Sequence, residues 1–114
     1  MSDSRRIRVM LVDDHALFRR AVGSILRAEP GFAVVGEAED GVAAVAQAPT
    51  LQPDVILMDV RMPGMSGPEA ARHVLAALPH VKILMLSMSD DEDAVFEAVR
   101  SGAHGYLLKT AEPA

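Results

Sequence analysis

The chain has 114 residues, half of them apolar and 24% charged, the composition of one folded domain with a core of its own. It has no cysteine, which excludes disulfides, thiolate zinc sites and cysteine catalysis. Sixteen acidic residues against eleven basic ones leave a formal charge of −5, which argues against a broad grip on nucleic-acid phosphates by this segment. No run approaches roughly 18 uncharged apolar residues, and MSDSRRIRVM lacks the apolar stretch of a signal peptide, so the expectation is a cytoplasmic protein without a membrane span.

Residues 7–12 read IRVMLV, a short apolar run that stops abruptly at Asp13-Asp14, as a buried strand does. In ALFRRAVGSILRA the apolar positions Leu17, Phe18, Ala21, Val22, Ile25 and Leu26 recur at helical spacing, with Arg19, Arg20 and Arg27 expected on the opposite face. Pro30-Gly31 ends that helix, and FAVVGEA at 32–38 reads as a second strand. Asp40 is placed to cap a short helix, VAAVAQA, closed by Pro49. VILMDV follows as a third strand around Asp59, and then the Pro- and Gly-rich loop RMPGMSG. Ser66 and Glu69 have the capping-box spacing before a helix through about Leu78, which Pro79 stops. KILMLS at 82–87 is the fourth strand, and Ser89 and Glu92 repeat the capping-box spacing before DEDAVFEAVRS, ended by Gly102 as a C′ glycine. The fifth strand spans about 105–108, with Lys109 after it.

Strand and helix alternate four times before the fifth strand. Strands this poor in polar residues have both faces covered, which predicts an α/β doubly wound parallel sheet with right-handed crossovers. Such a sheet needs a fifth helix where the sequence reaches TAEPA. The expectation is therefore that residues 1–114 are one domain truncated before that helix, a piece of a longer protein.

In open parallel sheets, ligands bind beyond the carboxyl ends of the strands. The first strand ends in Asp13-Asp14, the third in Asp59, the fourth in Ser87 and the fifth in Lys109; Glu37 and Glu39 at the second are weaker candidates. Successive groups from Asp14 to Lys109 lie 45, 28 and 22 residues apart, one or two strand–helix units each, so the fold can gather them without a local motif. Crowded carboxylates repel one another, and a hard cation such as magnesium relieves that repulsion. A carboxylate nucleophile, a metal, a lysine and a serine hydroxyl together suit phosphoryl transfer to aspartate. There is neither a GxxxxGK[ST] loop nor a GxGxxG fingerprint. Acidic residues at strand ends are also common as solvated loop residues, and the residues by themselves leave both readings open.

The wording MLVDDHALFRRAV, LMDVRMPGMSG and SGAHGYLLKTA resembles the receiver domain of bacterial two-component response regulators, in the NarL/LuxR-type branch, across residues 6–112. The resemblance implies sheet order 2-1-3-4-5 and slow self-dephosphorylation rather than multiple-turnover catalysis. It makes Asp59 the phosphoryl acceptor, and Asp13 and Asp14 the acidic metal pair, with Asp14 the more direct ligand. Arg61 then supplies a backbone carbonyl to Mg2+, for which Mn2+ is a possible substitute. Ser87 and Lys109 contact the phosphoryl group, and Ser87 and Tyr106 form the switch. The implied partners are a sensor histidine kinase and a second copy on activation, with DNA reached only through a C-terminal helix-turn-helix domain absent here. Two competing functions are a stand-alone receiver acting by protein–protein interaction and an aspartate-nucleophile, metal-dependent phosphatase. Ser87 stands where threonine is frequent, and Thr110 where many receivers have a proline.

His15 is set aside as a ligand, because a nitrogen donor suits magnesium poorly, and is expected instead at a helix N-terminus on the rim. His73, His80 and His104 lack mutual ligand spacing, and Met58, Met62, Met65, Met85 and Met88 read as packing residues. The run DDED at 90–93 reads as a solvated helix start.

Overall fold

The computed structural model describes residues 6–87 and 97–109. The second capping-box pair, Ser89 and Glu92, lies outside the described residues, as do Met88, the DDED run and Thr110. Five strands, β1 (Ile7–Val12), β2 (Phe32–Ala38), β3 (Val55–Asp59), β4 (Lys82–Ser87) and β5 (Gly105–Leu108), form one sheet of order β2-β1-β3-β4-β5. Every neighbouring pair is parallel. The helices are α1 (Ala16–Arg27), α2 (Gly41–Leu51) and α3 (Gly67–Ala77), and residues 97–100 are also helical. The doubly wound reading is borne out, and no helix follows β5 among the described residues.

Register explains the core. Val12 pairs with Met58, Met58 with Met85, and Met85 with Tyr106; one step nearer the strand starts, Met10, Ile56 and Ile83 line up. These apolar rows meet Ala44 and Ala48 of α2, Ala70, Ala71 and Val74 of α3, and Ala98, all buried in one cluster. Alanines on the inner helix faces leave room for the methionine and isoleucine side chains of the sheet. Full burial of such a side chain stabilises by about 1.5–3 kcal/mol, and truncating Ile56 to alanine would cost about 2–5 kcal/mol.

The opposite sheet face is covered unevenly. Leu11 is buried, and Leu11, Leu57 and Leu86 close against Phe18 and Val22 of α1. Farther along the same row Leu84 is only half-buried, and Leu107 is 53% exposed.

Three local expectations need correction. Of the apolar stripe predicted for α1, only Phe18, Val22 and Leu26 are half-buried; Leu17, Ala21 and Ile25 are exposed. Arg19 is not on the solvent face, for its side chain is turned toward β2 and is 17% exposed. Pro49 does not close α2, which runs on to Leu51 and ends where Gln52 takes a left-handed conformation and donates its N–H to the Ala48 carbonyl. The helix continues because Leu51 packs into the notch over Gly36 of β2, where an added Cβ would lie 2.5 Å from a leucine methyl. The Asp40 cap is borne out, its carboxylate accepting the Ala43 N–H at 2.8 Å.

Candidate functional site

The strands deliver their polar ends to one edge. Asp13 follows β1 directly, and its N–H donates to the Ala38 carbonyl, extending the β1–β2 pairing by one step. Asp59 is the last residue of β3, and Lys109 follows β5, its N–H donating to the Ser87 carbonyl at 2.7 Å. Asp13 and Asp59 are 2% and 3% exposed, an unusual state for carboxylates, which are seldom buried without partners.

Lys109 is the partner of both. Its ammonium lies 2.7 Å from Asp13 Oδ2 and 3.5 Å from Asp59 Oδ2. The same Nζ sits 4.5 Å above the centre of the Phe18 ring, a cation–π arrangement that braces it from the side of α1. One ammonium does not neutralise this site. Burial, with the negative charge of Asp13 next, pushes the Asp59 carboxyl up from 3.8 to about 6. Lys109 pulls in the other direction, while a hydrogen bond and the charge of Asp14 add to the rise.

The loop after β3 is built around close approach. Gly67, the first residue of α3, donates its N–H to the Val60 carbonyl at 2.8 Å. A Cβ there would lie 2.2 Å from the Asp59 carbonyl oxygen, so only glycine fits. Gly64 takes φ +76°, a turn conformation that other residues rarely adopt. Ser66 caps α3 by accepting the Glu69 N–H at 3.3 Å, as the capping-box spacing predicts.

Asp13, Asp14, His15 and Asp59 each offer a ligand atom within 4.8 Å of the others, the spacing of a divalent metal site. The donor set fits a hard cation: three carboxylates converge and two of them are buried. His15 stands at the N-terminus of α1, as the sequence leads one to expect, and its ring also lies in the cluster. Its Nδ1 lies 3.2 Å from Asp13 Oδ1, 3.6 Å from Asp14 Oδ1 and 3.1 Å from Lys109 Nζ. Nδ1 either donates to the Asp13 carboxylate or accepts from the Lys109 ammonium, and the imidazole tautomer decides which. The turn that brings the ring here is local, because the His15 N–H donates to Asp13 Oδ1 at 2.8 Å.

Arg19 was also missed. Its Nε donates to Glu37 Oε1 at 3.1 Å, and its Nη1 donates to the Asp13 carbonyl. Glu37, near the end of β2, also takes Arg27 at 3.2 Å. An arginine five residues after an acidic pair carries no motif; only the return of α1 along β2 shows its target.

The other predicted positions are nearby or at the rim. Ser87 is 2% exposed at the end of β4. Tyr106 is half-buried against the core and lines a cleft with Ala98, Val99, Ala103, His104 and Gly105. Arg61 is exposed in the loop two residues after Asp59.

Residues 9–114 match the response regulator receiver domain family. The transcriptional regulatory protein DegU of Brevibacillus brevis is 47% identical over 107 residues, covering 94% of this chain and 45% of that protein. The nitrate/nitrite response regulator protein NarP of Escherichia coli is 42% identical over 113 residues, covering 99% of this chain and 53% of that protein. The chain thus spans about half the length of these curated relatives. The crystal structure of a LuxR-family two-component response regulator from Aurantimonas sp. superposes with TM-score 0.88 at 35% identity, covering 95% of this chain and 77% of that one. With the sheet order, the acidic cluster at its carboxyl edge and the match over nearly the whole length in agreement, the chain belongs to the response regulator receiver domain family, close to its NarL/LuxR branch.

Proposed function

We propose that Asp59 accepts a phosphoryl group from a phosphohistidine of a sensor histidine kinase, and that the modified domain switches an output, most directly transcription. The observation that carries this reading is the buried Asp59 carboxyl, raised to about 6, between an acidic pair and a lysine ammonium. The carboxylate form of Asp59 is the nucleophile, and a divalent cation beside it would favour that form. An Asp59 oxygen forms the new bond to phosphorus, the P–N bond breaks, and the leaving imidazole keeps the electron pair and takes up a proton. Asp13, Asp14 and Asp59, with the backbone carbonyl of Arg61, would hold Mg2+, for which Mn2+ would be a substitute. When bound, the ion supplies charge neutralisation on the phosphoryl oxygens. Lys109 pairs with the phosphoryl oxygens from the opposite side, and Ser87 donates its hydroxyl to them. Tyr106 then turns into the space that Ser87 vacates.

No helix among the described residues is long and apolar enough to cross a membrane, and we assign the domain to the cytoplasm. We further propose a helix-turn-helix output domain outside these 114 residues and a homodimer of the activated form; the name of DegU, a transcriptional regulatory protein, supports a transcriptional output. Incubation with acetyl phosphate and Mg2+, followed by intact mass measurement, should show one added phosphoryl group. An Asp59→Asn chain that gains the same mass would refute the assignment, and repeated turnover of phosphate esters would favour a phosphatase instead.

A further inference from the structure

Asp13 is held at four atoms. Its N–H is taken by Ala38, its Oδ1 by the His15 N–H, its Oδ2 by Lys109, and its carbonyl oxygen by Arg19. The carbonyl bond differs in kind from the others. It fixes the plane of the peptide joining Asp13 to Asp14, and that plane sets the direction in which the Asp14 chain leaves the backbone. Asp14 is the one exposed carboxylate of the cluster, and no backbone ladder positions it. Arg19 is itself aimed: Glu37 takes Nε while Nη1 reaches Asp13, so the planar guanidinium is held at two points, from β2 and from the site. Arg27 supports Glu37 from the last turn of α1.

We propose that Arg19, oriented by Glu37, is the positioning residue of the divalent-cation site. It holds the Asp13–Asp14 peptide so that both carboxylates converge with Asp59. The inference rests on the receiver reading above, since it takes the acidic cluster to be a working metal site. Positioning and simple charge predict opposite signs. Arg19 is a permanent cation close to a cation site, so by charge alone its removal would tighten Mg2+ binding. If its work is positioning, removal loosens binding, and partners that orient metal ligands typically contribute 10–100-fold in affinity.

The test is calorimetric titration of the full chain with MgCl2 for the parent, Arg19→Met, Arg19→Lys and Glu37→Gln, beside acetyl phosphate kinetics across Mg2+ concentrations. R19M should weaken Mg2+ affinity at least about tenfold while the rate at saturating Mg2+ stays within about twofold of the parent. R19K, which retains the charge but not the fork, should behave like R19M rather than the parent. E37Q should weaken binding by a smaller factor in the same direction. Tighter or unchanged Mg2+ binding in R19M, or full rescue by lysine, would overturn the proposal. Should R19M fail to fold, R19K and E37Q decide: parental affinity in both overturns it. A parent chain that bound no Mg2+ would instead strike at the receiver reading, which keeps the two failures apart.

Discussion

Asp59→Asn should stabilise the metal-free protein, and by an amount that depends on pH. Asp59 is almost fully buried, and its carboxyl is raised from 3.8 to about 6, first by burial and then by the charge of Asp13. Below about pH 4 the group is neutral in both the folded and unfolded chain and contributes no penalty. Between about pH 4 and 6 the unfolded chain releases the proton while the folded chain retains it, so stability falls as pH rises. Above about pH 6 the folded chain is charged as well, and the full cost is present, on the order of 3 kcal/mol at most. Asparagine abolishes this titration. D59N should therefore exceed the parent by roughly 2–3 kcal/mol at pH 8, a melting-temperature rise on the order of 10 °C, with the gap closing toward pH 4. Urea unfolding of both chains at pH 4.5, 6 and 8 in EDTA measures it. Adding Mg2+ should narrow the gap at pH 8, because only the parent keeps all its metal-binding carboxylates. A gap of constant size across this range, or a less stable D59N at pH 8, would refute the reasoning.

Gly67→Ala should destabilise by about 1–3 kcal/mol or more, because the new methyl collides with the Asp59 carbonyl; an unchanged urea midpoint would contradict the close approach. Ser66→Ala should cost about 1 kcal/mol by removing the α3 cap, read from the same urea curves, without changing the sign of any pH effect. Ser87→Ala should still bind beryllofluoride yet show reduced shifts at Tyr106 by NMR; full parental shifts would refute the relay between them.

Much of the fold was legible because the strands are short apolar runs ended by a charged or polar residue, a signal that survives without tertiary information. Asp13 and Asp59 marked strand ends by interrupting apolar runs, and Ser66 and Asp40 marked helix starts because each cap acts on a backbone N–H three residues on. What was not legible depends on which neighbour an element meets. The α1 stripe contains six apolar positions, but only Phe18, Val22 and Leu26 are half-buried, leaving Leu17 and Ile25 in solvent. Pro49 looked like a stop, and the notch at Gly36 that seats Leu51 two residues later is visible only when β2 lies beside α2. In the site, the carboxylates announced themselves by position. Arg19 did not, since its partners are a main-chain oxygen and a glutamate 18 residues away. The helix N-terminal place of His15 was legible, but not that the turn Asp13 imposes on its own backbone also brings the ring to the cluster.

Lys109 is where these electrostatic arguments meet, and its removal makes the sharpest demand on them. Its side chain is 2% exposed, as buried as its partner Asp13 at 3%, and it also faces Asp59 and the Phe18 ring. Lys109→Met keeps most of the volume and the contact with the ring but leaves two buried carboxylates facing each other. Breaking a buried pair in this way costs about 3–5 kcal/mol. The cost should not be a fixed packing defect. Lys109 is what pulls the Asp59 carboxyl down, so without it that carboxyl moves above its present value and protonates more readily. The stability lost by K109M at pH 8 should therefore shrink as pH falls toward 5, and it should also shrink when Mg2+ takes over the neutralising charge. Mg2+ should bind K109M more tightly than the parent, because the ammonium no longer competes for Asp13 and Asp59. Urea unfolding in EDTA and in excess Mg2+, at pH 5 and 8, separates the two accounts. A loss that is the same in all four conditions would mean that Lys109 acts through packing alone, and that the charge balance assigned to this site is wrong.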